Sequence, residues 1–272
     1  MDLYENIMKR KSTRRFLMEP LSADAMDRVR KEADRAPKLF ESLPVEFLIV
    51  EDGEKLYGRM SGILGTYGKV KSPHYIIVAA GKKPGFRQAA GYSLEHLVLA
   101  INNLGIATCI TAGGLSAEDL EGIAELKEDM LLVAAIAFGP PEVPEELYAA
   151  PKYHKRKPLS DLVLMGLVKR KYKDIFDAAR LSPSYMNTQP WRFVIEDERI
   201  HLFRARMGFI KNALLKSNNK IDIGIALAHM VIAIRHKGLK FSLKSEPIEY
   251  HEAEYVVTIE LKGHSARKET RG

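Results

Sequence analysis

Hydrophobic positions recur along the chain at two spacings, one typical of amphipathic helices and one typical of short buried strands. The helical spacing predicts helices over residues 3–9, 25–36, 88–104, 173–180 and 224–237. Compact apolar runs predict strands over residues 45–50, 75–80, 131–138, 191–195, 200–203 and 254–261. Ser22 and Asp222 each stand just before a predicted helix, and we expect each to be its N-cap. The most apolar helix, over 88–104, should lie at the centre of the fold.

Two stretches of the chain occur twice, which indicates an internal duplication. Residues 36–47 align without a gap on residues 182–193 at an offset of 183 − 37 = 146, and the shared prolines and phenylalanine are preserved. Residues 91–105 align on residues 224–238 at an offset of 224 − 91 = 133. The second copy is therefore shorter by 146 − 133 = 13 residues between the two stretches.

The repeated loop differs between the copies in its polar residues. The second copy carries Ser184, Asn187 and Gln189 between two prolines that restrict the backbone, beside the single tryptophan of the chain. Hydroxyl and amide groups at this spacing suit the polar edge of a flat heterocycle. A rigid structural loop whose side chains cap the neighbouring helix explains the spacing equally well. The first copy has lysine, glutamate and leucine at the three matching positions and has lost this chemistry.

Two basic segments and one glycine-rich segment offer further binding groups. Residues 10–14 combine arginines with a hydroxyl, which suits a phosphate, although a helix end exposed to water explains the same residues. Residues 154–157 form a second basic run. Residues 112–114 follow an apolar run, and they either present backbone N–H groups to a closely approaching molecule or form a plain turn.

Composition narrows the classes of function. The chain has 272 residues, of which 46% are hydrophobic and 28% charged, as in a globular protein. The single cysteine, Cys109, excludes an internal disulfide and a cysteine-based zinc site, and we interpret it as a core residue in a reducing cytoplasm. The net charge of +7 comes from scattered basic runs without interleaved aromatic residues, so nucleic acid is not an expected partner. We also expect no metal site, no membrane span and no signal peptide.

The motifs resemble those of the nitroreductase family of FMN-dependent enzymes. Residues 183–191 are similar to the family's Pro-Ser-x-x-Asn-x-Gln-Pro-Trp loop, and residues 10–14 to its N-terminal Arg-x-Ser-x-Arg/Lys phosphate motif. Residues 156–158 are similar to the family's Arg-x-Pro motif. The resemblance covers nearly the whole chain. It implies an α+β fold with a central, mostly antiparallel sheet and long helices.

The chain departs from the ordinary family pattern, in which a homodimer holds two flavins at its interface. There one subunit provides the phosphate motifs and the other provides the Pro-Ser loop. Here residues 1–160 keep the phosphate motifs without the loop chemistry, whereas residues 161–272 keep the loop without an Arg-x-Ser-x-Arg motif. The chain resembles a branch of the family in which one chain mimics the dimer. We expect the two pseudo-subunits to form one compact domain, a monomer with one FMN site between its halves.

The resemblance also implies the residues that bind the cofactor. The basic segments would neutralise the flavin phosphate, Lys11 would lie near the ribityl chain, and the Pro-Ser loop would meet the polar edge of the ring. Backbone N–H groups of residues 112–114 would lie near N5, where hydride arrives and leaves. The full set is Arg10, Lys11, Ser12, Arg14, Ala112, Gly113, Gly114, Lys155, Arg156, Pro183, Ser184, Tyr185, Asn187 and Gln189. No catalytic acid or base is expected, because the hydride chemistry belongs to the cofactor.

The implied activity is the reduction of nitroaromatic or quinone-like acceptors by NADH or NADPH in two half-reactions through FMN. Residues 53–71 and 207–219 are expected on the substrate side. Two alternatives remain open. The chain could store or sense FMN without turnover, or it could be a degenerate pseudoenzyme that holds an anionic partner on its basic surface.

Overall fold

The computed structural model describes residues 2–60, 69–111, 114–150 and 154–262, without the side chains of residues 209–211. The described helices are α1 (Leu3–Lys9), α2 (Ala23–Arg35), α3 (Gly53–Arg59), α4 (Phe86–Asn103), α5 (Lys173–Leu181) and α6 (Phe209–His236). The described strands are β1 (Val45–Val50), β2 (His74–Gly81), β3 (Ala107–Thr111), β4 (Met130–Gly139), β5 (Val163–Met165), β6 (Trp191–Glu196), β7 (Arg199–Ala205), β8 (Lys240–Lys244) and β9 (Ala253–Lys262). No helix in these ranges is long and apolar enough to cross a membrane.

The strands form two sheets with the same internal order. The first sheet runs β1-β2-β4-β3 and is antiparallel throughout. The second runs β5-β6-β7-β9-β8, and its pairs are antiparallel except for β5 with β6. If β5 is set aside, each strand of one sheet has a counterpart in the other, and α2 and α4 correspond to α5 and α6. The predicted α+β class and the internal duplication are therefore confirmed, with the antiparallel strands divided between two sheets.

The repeated loops are held to the sheets by the same backbone hydrogen bond. In the first copy Gly81 N–H donates to the carbonyl of Pro44 at 3.0 Å, and in the second Ala205 N–H donates to the carbonyl of Pro190 at 2.7 Å. A two-residue turn after Glu196, with Asp197 in the left-handed region at φ 49°, joins β6 to β7 and shortens the second copy, since the matching segment of the first copy contains α3.

The two long helices, α4 and α6, cross at the glycines that the duplication aligns. A Cβ atom on Gly91 would lie 2.1 Å from the carbonyl oxygen of Ile221, and one on Gly224 would lie 2.1 Å from that of Gln88. Only glycine allows the backbones to approach this closely. The predicted central position of the apolar helix is confirmed, and α4 and α6 together form the seam between the two copies.

Several sequence predictions need correction. Helix α6 begins at Phe209 rather than residue 224, so Asp222 lies inside the helix and is not its N-cap. The first turns of α6 were not predicted, because the polar run from Lys216 to Lys220 interrupts the apolar spacing of a helix. The prediction missed the short elements α3, β5 and β8 altogether. Ser22, in contrast, is confirmed as the N-cap of α2, since its hydroxyl accepts from Ala25 N–H at 3.3 Å.

Candidate active site

A cavity of about 770 Å³ lies between the two copies of the repeat, a volume typical of small-molecule sites. The first copy contributes its two basic segments, and the second contributes the Pro-Ser loop and part of α6. The polar or loop residues that these segments contribute to the lining are Arg10, Lys11, Ser12, Arg14, His154, Lys155, Arg156, Pro183, Ser184, Tyr185, Met186, Asn187 and Asp222. The structure therefore brings the three predicted motifs into one place.

The first basic segment is fixed by backbone hydrogen bonds on both of its sides. Helix α1 ends where Arg10 N–H donates to the carbonyl of Asn6 at 2.8 Å. Thr13 N–H then donates to the carbonyl of Thr108 on β3 at 3.0 Å, and Ala149 N–H donates to that of Lys9 at 2.8 Å. The segment is thus anchored to the first sheet, and its charged side chains line the cavity.

The cations of the cavity form no ion pair among the described residues. Arg10 is 6% exposed, and its Nη1 atom, like Nε of Arg156, is buried without a hydrogen-bond partner in the described part of the chain. The pKa of Arg156 is lowered to about 10, by burial first and then by the charges of Arg10 and Arg180. The pKa of His154 is also lowered, by burial and then by Arg156, Arg10 and Lys11. This concentration of positive charge suits a phosphate group.

Arg156 joins the second basic segment to the Pro-Ser loop of the other copy. Its guanidinium donates from Nη1 to Asn187 Oδ1 at 3.0 Å and from Nη2 to the carbonyl of Leu181 at 3.2 Å. The amide of Asn187 returns a hydrogen bond from Nδ2 to the carbonyl of Lys155 at 3.0 Å. The predicted phosphate side and the predicted ring-edge side of the site are therefore in direct contact.

The Pro-Ser loop holds strained backbone in a fixed shape. Met186, Asn187 and Gln189 have φ angles of 50°, 54° and 49°, in the left-handed region that residues other than glycine rarely adopt. Each such residue costs about 1–3 kcal/mol and persists only where its surroundings hold it. One such restraint is the hydroxyl of Ser184, which accepts from Gln189 N–H at 3.0 Å. Backbone strain of this kind is concentrated in binding and catalytic segments.

Gln189 lies behind the cavity rather than on its wall. It is 4% exposed, and its Oε1 atom accepts from Lys157 N–H at 2.7 Å, while Nε2 donates to the carbonyl of Asn187 at 3.3 Å. The residue thus ties the loop to the second basic segment. A direct contact between Gln189 and a cofactor stays a prediction.

The glycine-rich segment is only partly described. Ala112 and Gly113 lie outside the described residues, and Gly114 has a φ of 75° but is not among the residues that line the cavity. The preceding strand contributes Cys109 and Ile110 to the wall. Burial raises the pKa of the Cys109 thiol, although Arg14 and Arg10 act in the opposite direction. The side chain belongs to a buried apolar cluster, as its interpretation as a core residue predicted.

The two segments expected on the substrate side contribute little to the cavity. Of residues 53–71, Val70 lines the wall, while residues 61–68 lie outside the described part of the chain. None of the described residues between 207 and 219 lines the cavity. Their assignment to the substrate side stays a prediction.

Asp222 is an acidic cavity residue that the sequence indicated only as a helix cap. It sits within α6, is 3% exposed, and accepts at Oδ1 from Tyr185 N–H at 3.0 Å. The repeat alignment places Ala89 at the matching position of α4, since 222 − 133 = 89, and this substitution was a signal that could have drawn attention to Asp222. Within the described ranges no group of three or more His, Cys, Asp or Glu side chains could hold a metal ion.

Comparison with known proteins points to one family. A family model described as "Putative TM nitroreductase" matches residues 2–234. A solved structure of a putative nitroreductase from Thermotoga maritima MSB8 is similar at 20% identity and a TM-score of 0.61, covering 95% of this chain and 93% of that chain. This match over both lengths shows the fold.

Other similar structures cover about half to two thirds of this chain. A putative nitroreductase in complex with FMN from Desulfovibrio desulfuricans matches at 21% identity and a TM-score of 0.48, covering 62% of this chain and 99% of that chain. A nitroreductase family protein from Clostridium novyi NT matches at 22% identity and a TM-score of 0.45, covering 54% of this chain and 88% of that chain. A comparison with curated proteins gave no match.

Proposed function

We propose that this chain, which belongs to the nitroreductase family, is an FMN-dependent oxidoreductase with one cofactor site. One observation carries the proposal. The basic segments of the first copy and the Pro-Ser loop of the second line the same cavity of about 770 Å³. Neither copy contributes both kinds of group, so the site is complete only between the copies.

The residues of the cavity fit the phosphate of FMN. Among the described residues, Arg10 and Arg156 each keep a buried nitrogen without a hydrogen-bond partner. The pKa of Arg156 is lowered by burial first and then by the crowding of like charges from Arg10 and Arg180. A bound phosphate would accept charge-assisted hydrogen bonds from these arginines and relieve that crowding. Lys11, Ser12, Arg14 and Lys155 line the same cavity and would complete the set of donors.

The Pro-Ser loop, which lines the same cavity, would hold the flavin ring. Pro183 and Tyr185 offer surfaces for packing, while Ser184 and Asn187 offer hydrogen-bonding groups on the same wall. When bound, FMN supplies the hydride chemistry between NADH or NADPH and a nitroaromatic or quinone-like acceptor. The protein's own tasks are to bind the phosphate, to orient the ring and to shape the space beside it.

The mirror-related site is proposed to be inactive. The first copy's loop has Lys38, Glu41 and Leu43 in place of the serine, asparagine and glutamine of the second. The second copy has no Arg-x-Ser-x-Arg motif to meet that loop. We therefore expect a monomer with one FMN per chain.

The first test is the visible spectrum of the purified protein after incubation with FMN, with flavin quantified after release and molar mass measured by light scattering. One FMN per monomeric chain supports the proposal, and two per chain would contradict the assignment of an inactive second site. Absence of FMN binding would refute the cofactor assignment. Anaerobic addition of NADH or NADPH should then bleach the bound flavin, and an acceptor should restore the colour, which a protein that only stores FMN would not do.

A further inference from the structure

Asp222 is a buried acid in the cavity wall that the proposed site does not yet use. It lies on α6 between Ile221 and Ile225, which line the same cavity. Its carboxyl group is removed from solvent, with the whole residue 3% exposed. A buried polar group without a partner is unfavourable in a folded protein, so its free atom calls for an account.

The two carboxyl oxygens of Asp222 have different surroundings. Oδ1 accepts a hydrogen bond from Tyr185 N–H at 3.0 Å, which fixes the carboxyl group beside the Pro-Ser loop. Oδ2 is buried and has no hydrogen-bond partner among the described residues. A protonated acid would suit this arrangement once a ligand is bound, because its carbonyl oxygen accepts from Tyr185 N–H and its O–H could then donate to that ligand.

The environment favours the protonated form. Burial raises the pKa of Asp222 well above its ordinary value, and the hydrogen bond from Tyr185 acts against this as the smaller cause. The titratable side chains that share the cavity with it are Arg10, Lys11, Arg14, Cys109, Tyr148, His154, Lys155, Arg156 and Tyr185. On the packed helices α4 and α6, the buried Glu95 and His229 are engaged with each other, with Oε1 and Nε2 2.8 Å apart.

The acid is present in only one of the two copies. The matching position on α4 is Ala89, which is fully buried and cannot donate a hydrogen bond. Asp222 therefore accompanies the complete set of loop residues and is missing where that set has been lost. This asymmetry separates it from the paired residues of the α4–α6 seam, such as Gly91 and Gly224, which both copies keep.

We propose that Asp222 stands in the cavity wall as a neutral carboxylic acid and donates a hydrogen bond from Oδ2 to an acceptor atom of the flavin ring. The inference rests on the proposed function, since FMN is the ligand whose ring it would contact. Asp222 is thus a binding residue that needs its proton. Once ionised it would place an unpaired negative charge against the acceptor edge of the ring.

The consequence is an FMN affinity that depends on pH through one residue. As pH rises through the raised pKa of Asp222, the donor is lost and affinity should fall by up to tenfold per pH unit. Asp222→Asn should remove this dependence. Its Oδ1 atom can still accept from Tyr185 N–H, and its Nδ2 atom can donate into the cavity at every pH.

The experiment is a titration of the full chain with FMN, followed by flavin fluorescence, at pH 7 and pH 9.5. At pH 7 we expect Asp222→Asn to bind within about threefold of the unaltered chain and Asp222→Ala to bind about tenfold more weakly. At pH 9.5 the unaltered chain should lose affinity relative to Asp222→Asn. Glu41→Gln, which alters an exposed carboxylate in the matching loop of the first copy, should behave as the unaltered chain at both pH values.

Three results would overturn the inference. The first is an equal loss of FMN affinity in Asp222→Asn and Asp222→Ala at pH 7, and the second is no loss of affinity in Asp222→Ala. The third is a ratio of affinities between the unaltered chain and Asp222→Asn that stays the same at both pH values. If the variants fail to fold, calorimetry of the unaltered chain at pH 9 in two buffers of different ionisation enthalpy gives the proton count. Proton uptake with FMN that Arg156→Gln retains supports the inference, since the pKa of Arg156 is also lowered to about 10. Its absence overturns the inference. Failure of the unaltered chain to bind FMN would instead refute the proposed function.

Discussion

The two copies share a backbone and differ in chemistry. Both sheets run in the same order, both loops are held by a hydrogen bond to the carbonyl of the second proline, and both long helices carry a glycine where they cross. Yet Gln189 in one loop, which bonds Lys157, is matched in the other by Leu43, which packs in an apolar cluster. A change to a buried backbone hydrogen bond or to a helix crossing destabilises the fold. A side chain that faces a ligand can change without this cost when a single site is enough for function.

The long helices show the same contrast at three matched positions. Helix α6 presents Ile221, Asp222 and Ile225 to the cavity, while α4 has Gln88, Ala89 and Tyr92 at the corresponding places. The side chain of Tyr92 packs in an apolar cluster and against the ring of His96, with ring centroids 4.6 Å apart. The difference teaches that α6 lines the cavity at these positions, whereas the matching face of α4 is filled as core.

The largest expected effect concerns His96, which is matched in the second copy by His229. Burial lowers the pKa of His96 to about 4. As pH falls below 6.5, this histidine is therefore protonated in the unfolded chain before it is protonated in the folded chain. The stability that the neutral ring contributes is present above pH 6.5 and is lost as pH falls towards 4, by about 3 kcal/mol. The free energy of unfolding of His96→Leu, measured with urea, should therefore fall less between pH 6.5 and pH 4 than that of the unaltered chain. Parallel curves would contradict the prediction.

Removing one cation of the proposed phosphate site should have the next largest effect. Arg156→Ala should weaken FMN binding by about 2 kcal/mol, or about thirtyfold, because a charge-assisted hydrogen bond is lost. Arg15→Ala is the matched control, since Arg15 adjoins the first basic segment but is exposed and paired with Glu142 and Glu146. Fluorescence titration with FMN measures both. Equal losses would mean that general charge, rather than the cavity, attracts the cofactor.

Breaking the link behind the loop should cost about 2 kcal/mol of stability or less. Gln189→Leu leaves the N–H of Lys157 without its acceptor and removes the bond to the carbonyl of Asn187. FMN affinity should fall with it, because the loop loses its tie to the basic segment. The matched change Leu43→Met should cost less than about 1.5 kcal/mol and leave FMN affinity unchanged. Unfolding curves and FMN titrations decide, and an unchanged affinity in Gln189→Leu would contradict the positioning role.

The smallest expected effect sharpens the assignment of the loops. Ser184→Ala combined with Asn187→Ala should lower FMN affinity about tenfold, the loss of one to two ordinary hydrogen bonds. Lys38→Ala combined with Glu41→Ala, at the matching exposed positions of the first copy, should change it less than twofold. The comparison is made at equal ionic strength, since the second pair removes one positive and one negative charge. A loss from both pairs would show that the copies have been assigned to the wrong roles.

The sequence alone determined which segments are copies of each other and which copy keeps which chemistry. The prolines restrict the backbone locally, and the glycines allow two helices to approach closely. Both copies need these residues, so the repeat can be recognised in the sequence. Most helices and strands were also predictable, because apolar spacing reports burial directly. The polar first turns of α6 and the short strands β5 and β8 were not, since their stability comes from neighbours distant in sequence.

Only the tertiary structure decided how the motifs meet. The contact of Arg156 with Asn187, the bond from Lys157 to Gln189 and the cavity itself arise where the two copies face each other across α4 and α6. The position of Asp222 shows the limit most clearly. In the sequence it stands beside apolar residues like a helix cap, whereas in the fold it lies within a helix, buried against the Pro-Ser loop. Burial and partners are set by the packing of distant segments, and no local pattern records them.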